Sequence, residues 1–237
     1  MRKLAVLAML VALAGCGGGD DEVLVVFAAS SLSGVADEIH RAAEVVFGGS
    51  NDLAAQIRDG AEVDVFLSAS DAPLEELRAD GLVGAPVVFA SNRLVVVLPA
   101  DNPAGVTALP DLTRPGVKLV LGAEGVPIGD YAREALAAAG LSEAFARVVS
   151  LEEDVKGVLG KVALGEADAG IVYATDARAA SDDVRSFPVP ERYQPEIRYL
   201  AAVGLPARQP ARDYVELLLG DEGRAGLRRA GFLLPRA

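Results

Sequence analysis

The sequence predicts an α/β protein, on three observations. Short β-branched and leucine-rich runs recur along the chain, amphipathic stretches with helical spacing alternate with them, and glycine or proline marks the junctions. Val23–Phe27 is a continuous apolar run, as expected of a strand covered on both faces. Leu32, Val35, Ala36, Ile39 and Ala43 follow at helical spacing; Val45–Phe47 reads as a strand and Leu53–Arg58 as a short helix stopped by Gly60. Val63–Leu67 is the next strand. Ser70 or Asp71 can cap the helix after it, with Pro73 in its first turn and Gly81 past its end. Leu94–Leu98 and Val117–Leu121 read as strands, and Tyr131–Ala139 as a helix ending at Gly140. Glu152–Leu164 is amphipathic through Val155, Val158, Leu159 and Val162. Ala169–Tyr173 and Arg198–Val203 are strands, and helices near Ala211–Leu219 and Glu222–Arg229 finish the chain. This alternation predicts a mostly parallel sheet.

Composition narrows the function. With 237 residues, 51% hydrophobic and 24% charged, the chain can bury a sizeable core and belongs to the soluble globular class. Its 34 acidic against 22 basic residues give a net charge of −12. There is no basic run to track phosphates, which argues against nucleic acid as a partner. An acidic surface also repels anions, so any anion site must be local and built from dipoles.

The first residues read as a targeting segment. Arg2 and Lys3 precede an apolar run from Leu4 to Ala14, too short for a membrane span and suited to a secretory signal. Leu13-Ala14-Gly15-Cys16 looks like a bacterial lipobox, so residues 1–15 are expected to be removed and Cys16 acylated. Residues 16–22 would then be a flexible tether after the anchor. Cys16 is the only cysteine, so neither a disulfide nor a cysteine metal cluster can form within the chain.

Signs of catalysis are sparse. The single histidine, His40, lies at the edge of a predicted helix's apolar stripe, and the serines of FAASSL (residues 27–32) lack the G-x-S-x-G elbow of a hydrolase. No H-E-x-x-H, Walker or dinucleotide-binding sequence is present. Serines where a strand enters a helix can be nucleophiles, caps or an anion cradle. For the last of these, helix starts expose unpaired N–H groups at the positive end of the dipole. Three further stretches share that character: GGSNDLAAQI at 48–57, GVPIGDYAREAL at 125–136 and EEDVKGVL at 152–159. The carboxylates Glu152, Glu153 and Asp154 would complement a helix dipole there.

Taken in order, the runs VFAASSL, SNDLAAQIRDG, DVFLSAS, NRLVVVLP, GVPIGDYAREAL, LEEDVKGVL, AGIVYATDA and RAGF resemble the substrate-binding proteins of bacterial molybdate ABC transporters. They span nearly all of residues 23–234. The resemblance implies a type II periplasmic-binding-protein fold: two lobes, residues 23–90 plus 203–237 and residues 91–202, with a ligand cleft between them. It implies hydroxyl ligands from Ser31, Ser50 and Tyr173, and backbone N–H donors from Ser31, Ser50, Ile128 and Val155. The ligand would be molybdate or tungstate, with no cofactor, no metal cation bound directly and no catalysis. The protein would be a monomer held at the outer face of the membrane, or in the periplasm, serving a permease and its ATPase subunit. Two alternatives stand beside this: another tetrahedral oxyanion, sulfate or phosphate, and a lipid-anchored serine hydrolase with His40 beside Ser30 or Ser31. Ser30 otherwise reads as structural.

Two local departures from the family pattern carry expectations. Ile128 stands where a small residue is usual. Ser31 to Ser50 is only 19 residues, so the stretch 35–45 barely meets the dozen or so that a parallel crossover needs. A stunted first helix or a displaced second strand is expected.

Overall fold

The computed structural model describes residues 23–35 and 43–235. Among these, the strands are β1 (Leu24–Ala29), β2 (Ala43–Gly48), β3 (Val65–Ser68), β4 (Val87–Ser91), β5 (Leu94–Pro99), β6 (Leu119–Gly122), β7 (Val148–Glu152), β8 (Ala169–Tyr173), β9 (Val184–Pro188) and β10 (Arg198–Val203). They form two five-stranded sheets, ordered β2-β1-β3-β10-β4 and β7-β6-β8-β5-β9. The helices are α1 (Ser50–Arg58), α2 (Ala72–Ala79), α3 (Pro127–Ala138), α4 (Val155–Ala163), α5 (Ala174–Ala179), α6 (Gln209–Leu219) and α7 (Asp221–Ala230).

Both sheets are mixed, which corrects the expectation of mostly parallel pairing. β1 lies parallel to β2 and β3, and β6 to β7 and β8; β10 is antiparallel to β3 and β4, and β5 to β8 and β9. The antiparallel strands β5 and β10 are the ones by which the chain enters each sheet from the other. Local crossovers show in sequence periodicity, whereas such returns do not. The lobe boundary expected between residues 202 and 203 falls inside β10. All of that strand pairs with the first sheet, so residues 198–202 go with β3 and β4. After β10, α6 and α7 return to the first sheet, where Ser91 and Leu233 exchange two backbone hydrogen bonds of 2.7 and 3.0 Å.

The period-two pattern of the first sheet feeds two cores. Val26, Ala28, Val65 and Leu67 join the large core that continues into the second sheet. Phe27 and Phe66 turn the other way, against Leu53 and Ile57 of α1 and Leu74 and Leu77 of α2. Each such side chain contributes about 1.5–3 kcal/mol by burial. The stops after α1 and α2 hold as expected: Gly60 and Gly81 take φ of +102° and +72°, left-handed backbone that glycine adopts freely.

The start of the chain departs from its sequence pattern. A helix spaced through Ala43 was expected; instead Ser30–Val35 is a 3₁₀ helix and Ala43 opens β2. Ala36, Ile39 and His40 lie outside the described residues, as do Cys16 and the segments 1–15 and 16–22. The short crossover does not displace the second strand: β2 pairs with β1 in unbroken parallel register from Leu24↔Ala43 to Ala29↔Gly48. Three helix starts also move, α1 opening at Ser50 rather than Leu53. α3 begins at Pro127 rather than Tyr131, since proline suits a first turn that needs no N–H. α4 begins at Val155 rather than Glu152, because the Asp154 carboxylate caps it, accepting from the Gly157 N–H at 2.8 Å. Glu152 therefore ends β7. The strands absent from the sequence reading, β4, β7 and β9, are all edge strands with exposed positions. No described helix is long and apolar enough to cross a membrane.

Candidate functional site

Five element junctions converge between the sheets. β1 enters the 3₁₀ helix, β2 enters α1 through Gly49, β6 reaches α3 through a short loop, β7 leads to α4 and β8 to α5. Together they line one small cavity of about 20 Å³. Ser31, Ser50, Ile128, Val155 and Tyr173 all border it, with Ser30, Gly49, Ala69, Pro127 and Asp154 among the others. The structure thus brings together the five residues that the resemblance implied as anion ligands, while Cys16 and His40 lie outside the described residues. Ser30, read from the sequence as structural, lies on the same wall.

Four of these junctions are α-helix starts, of which α1, α3 and α4 are the longer. The first backbone bonds closing α1, α3 and α4 are donated by Leu53, Asp130 and Val158 to the carbonyls of Gly49, Val126 and Asp154. N–H groups ahead of those donors have no acceptor within their own helix, and Ser50, Ile128 and Val155 carry such groups at the positive ends of helix dipoles. The Ile128 side chain is itself buried in the large core, so the bulk it brings packs with the fold.

Neither serine hydroxyl is a cap. Gly49 takes the N-cap position of α1, leaving Ser50 inside the first turn, where its Oγ accepts from the Ala69 N–H at 3.1 Å. Ser31 is the second residue of the 3₁₀ helix, and its Oγ accepts from the Tyr199 hydroxyl at 2.9 Å. In both, a protein donor occupies a lone pair and the hydroxyl proton is left over.

Tyr173 is the sharpest feature of the wall. Its side chain is buried, and its hydroxyl has no hydrogen-bond partner among the described residues. Leaving such a group unsatisfied costs about 1–3 kcal/mol. Burial pushes its pKa well above the usual tyrosine value, so the hydroxyl stays protonated. The rings of Tyr131 and Tyr199 stand edge-on to it, at centroid distances of 6.5 and 5.8 Å. Tyr131, raised to about 12 chiefly by burial, reaches across from the second sheet to donate to the Ala69 carbonyl at 3.3 Å.

No lysine or arginine lines the cavity among the described residues. Its one charged neighbour, Asp154, is engaged in capping α4. The nearest cation along the chain, Lys156, is paired at 2.7 Å with Asp176, whose buried carboxyl is pushed up to about 6 by desolvation, against the pull of Lys156. Such a wall of neutral O–H and N–H donors suits an anion and would repel a cation. No cluster of three or more His, Cys, Asp or Glu able to hold a metal ion occurs among the described residues.

The sequence pattern shared by bacterial extracellular solute-binding proteins matches residues 24–233. The chain belongs to that family. Among the relatives of this solute-binding protein is the molybdate-binding protein ModA of Mycobacterium tuberculosis strain H37Rv, 36% identical over 224 residues, or 90% of this chain and 85% of the relative. ModA of Escherichia coli K12 is 30% identical over 250 residues, 96% of this chain and 95% of the relative. The periplasmic molybdate-binding protein of Azotobacter vinelandii shares the fold, with a TM-score of 0.78 at 23% identity over 90% of this chain and all of the other.

Sequence reasoning missed Tyr199 and Gly49. The glycine pair ahead of Ser50 was a usable signal for the latter. Tyr199 lies on β10 and meets Ser31 only because the chain returns to the first sheet there, which no local pattern marks.

Proposed function

We propose that the protein captures molybdate, and tungstate with it, outside the cytoplasm and hands the anion to an ABC permease and its ATPase subunit. The observation carrying this is the buried, unpartnered Tyr173 hydroxyl at a cavity otherwise lined by helix-start N–H groups and serines. In this reading the Ser31, Ser50 and Tyr173 hydroxyls and the N–H groups of Ser31, Ser50, Ile128 and Val155 donate to the four oxygens. Charge-assisted bonds of this kind are the strong ones, and a dry site strengthens them. The similarity to molybdate-binding relatives supports the choice of anion. The protein acts by binding and lobe closure, without a catalytic step or cofactor, as a monomer in two lobes. Acylation at Cys16, after removal of residues 1–15, would hold it at the membrane surface.

The test is thermal. Molybdate in hundredfold excess over its Kd adds about 2.7 kcal/mol of stability. Ser31→Ala combined with Tyr173→Phe removes two donors and is expected to abolish the rise in melting temperature that molybdate gives the unaltered protein. An unchanged rise would overturn the assignment of these residues.

A further inference from the structure

A second concavity, away from the cavity between the sheets, lies where α3 ends beside the second sheet. It encloses about 370 Å³, a size that takes a small organic molecule. One side is formed by Leu109, Leu141 and Phe187; the other is the passage from β9 to β10, through Pro190, Arg192 and Tyr193. Leu109 is buried and Leu141, Phe187 and Tyr193 are half-buried, so the apolar groups sit recessed in a hollow and not on a flat face. That shape suits a small molecule better than a protein surface.

The passage side is held in place before any ligand arrives. The Tyr193 N–H donates to the Pro190 carbonyl at 2.8 Å. Gln194, next in the chain, accepts from the Leu94 N–H at 2.8 Å and donates to the Leu94 and Val189 carbonyls at 2.9 and 2.8 Å. A preformed wall lowers the ordering cost of binding. Charge then gives the occupant its chemistry. Arg192 is the one charged residue lining the hollow; its guanidinium lies 4.5 Å from the centre of the Tyr193 ring and has no ion pair among the described residues. The two carboxylates that adjoin lining residues in sequence are engaged. Asp111 accepts from the Thr107 and Ala108 N–H groups at 2.8 and 3.0 Å, and Glu191 pairs with Arg93. A guanidinium stacked on a ring keeps its N–H edge for a planar carboxylate, which it can hold by two bonds.

We propose that this hollow is a second binding site, for a small aromatic carboxylate whose ring packs against Leu141, Phe187 and Tyr193 while its carboxylate pairs with Arg192. It shares no lining residue with the cavity of Ser31 and Tyr173, so the two sites hold or fail separately.

The unaltered full-length chain, without molybdate, is titrated at neutral pH with 2-naphthoate and with the neutral 2-naphthamide, and binding is followed by ligand-observed NMR. Saturable binding of 2-naphthoate is expected, about fivefold tighter than that of 2-naphthamide, as for an ion pair at an exposed arginine. Arg192→Met keeps an apolar stem and removes the charge, so it should erase that preference while 2-naphthamide still binds. Pro188→Glu, at an exposed lining position, adds a carboxylate and should lower the preference as well. Both positions are exposed, and ligand-free melting temperatures close to that of the unaltered chain are expected. Excess molybdate should leave 2-naphthoate in place. The proposal is overturned if 2-naphthoate shows no saturable binding, if its preference survives Arg192→Met or is unmoved by Pro188→Glu, or if molybdate displaces it.

Discussion

Gly49 offers a way to separate closure of the lobes from folding. A Cβ built at this position would lie 2.5 Å from the Glu153 carbonyl oxygen, where ordinary contact begins at 3.4 Å. Gly49 follows β2 of the first sheet, and Glu153 follows β7 of the second, so alanine must part the lobes by roughly 0.9 Å there. The side-chain oxygens of Asn51 and Asp52, at 3.0 and 3.2 Å, can swing aside. A donor bond of about 2.9 Å stretched by that amount passes 3.5 Å and is lost. Losing one bond to a charged ligand removes about 1.5–3 kcal/mol, so Gly49→Ala is expected to weaken molybdate binding by one to two orders of magnitude. The ligand-free protein should hardly notice. At φ −60° and ψ 137° alanine is unstrained, and its lower unfolded-state entropy offsets the poorer N-cap. Calorimetric titration measures the first effect and thermal unfolding without ligand the second. Unchanged affinity would show that this close approach is no part of the bound state, and a large fall in ligand-free stability would show that it is part of the fold.

Tyr173→Phe should act in opposite directions on stability and binding. Removing the unpartnered buried hydroxyl is expected to stabilise the ligand-free protein by about 1 kcal/mol or more, while molybdate affinity drops about tenfold; denaturant unfolding and titration read the two. Asp176 predicts a pH dependence. Its carboxyl is raised from 3.8 to about 6, so the folded state holds the proton more tightly than the unfolded one, and the stability it contributes is present in acid and lost as pH rises between those values. The slope amounts to about 3 kcal/mol, and unfolding between pH 4 and 7 should show it flattened in Asp176→Asn; an identical slope in the variant would refute the assignment.

Much of the fold was legible because buried strands and capped helices obey local rules. β8 and β10 were readable to the residue from their apolar runs. What local rules could not supply was the sense of β5 and β10, since a strand arriving from the other sheet looks like any other. Edge strands such as β9, VRSFP with two exposed neighbours at Arg185 and Ser186, lack the hydrophobic density that betrays a central strand. The candidate site divides the same way. Ser31 and Ser50 were visible as serines at strand-to-helix passages, although their hydroxyls turned out to be bonded to Tyr199 and Ala69 rather than capping. The Tyr199 partner of Ser31 was invisible, because only the tertiary fold brings β10 against the 3₁₀ helix.

The arrangement also explains how an acidic chain can hold an anion at all. Charges spread over the surface act across a screening length of about 8 Å at physiological salt, so most of the net −12 is weakened before it reaches the cavity. Helix-start N–H groups and hydroxyls act at contact, where no screening intervenes. Lys156 stands next to Val155 in sequence, yet its ammonium is turned to Asp176, at 2.7 Å, and does not line the cavity. A lysine in the wall would attract any anion, protonated or not, through a charge with little directional demand. Withdrawing it leaves recognition to backbone N–H groups and to the Ser31, Ser50 and Tyr173 hydroxyls. On this account the pairing of Lys156 with Asp176 makes attraction depend on geometry.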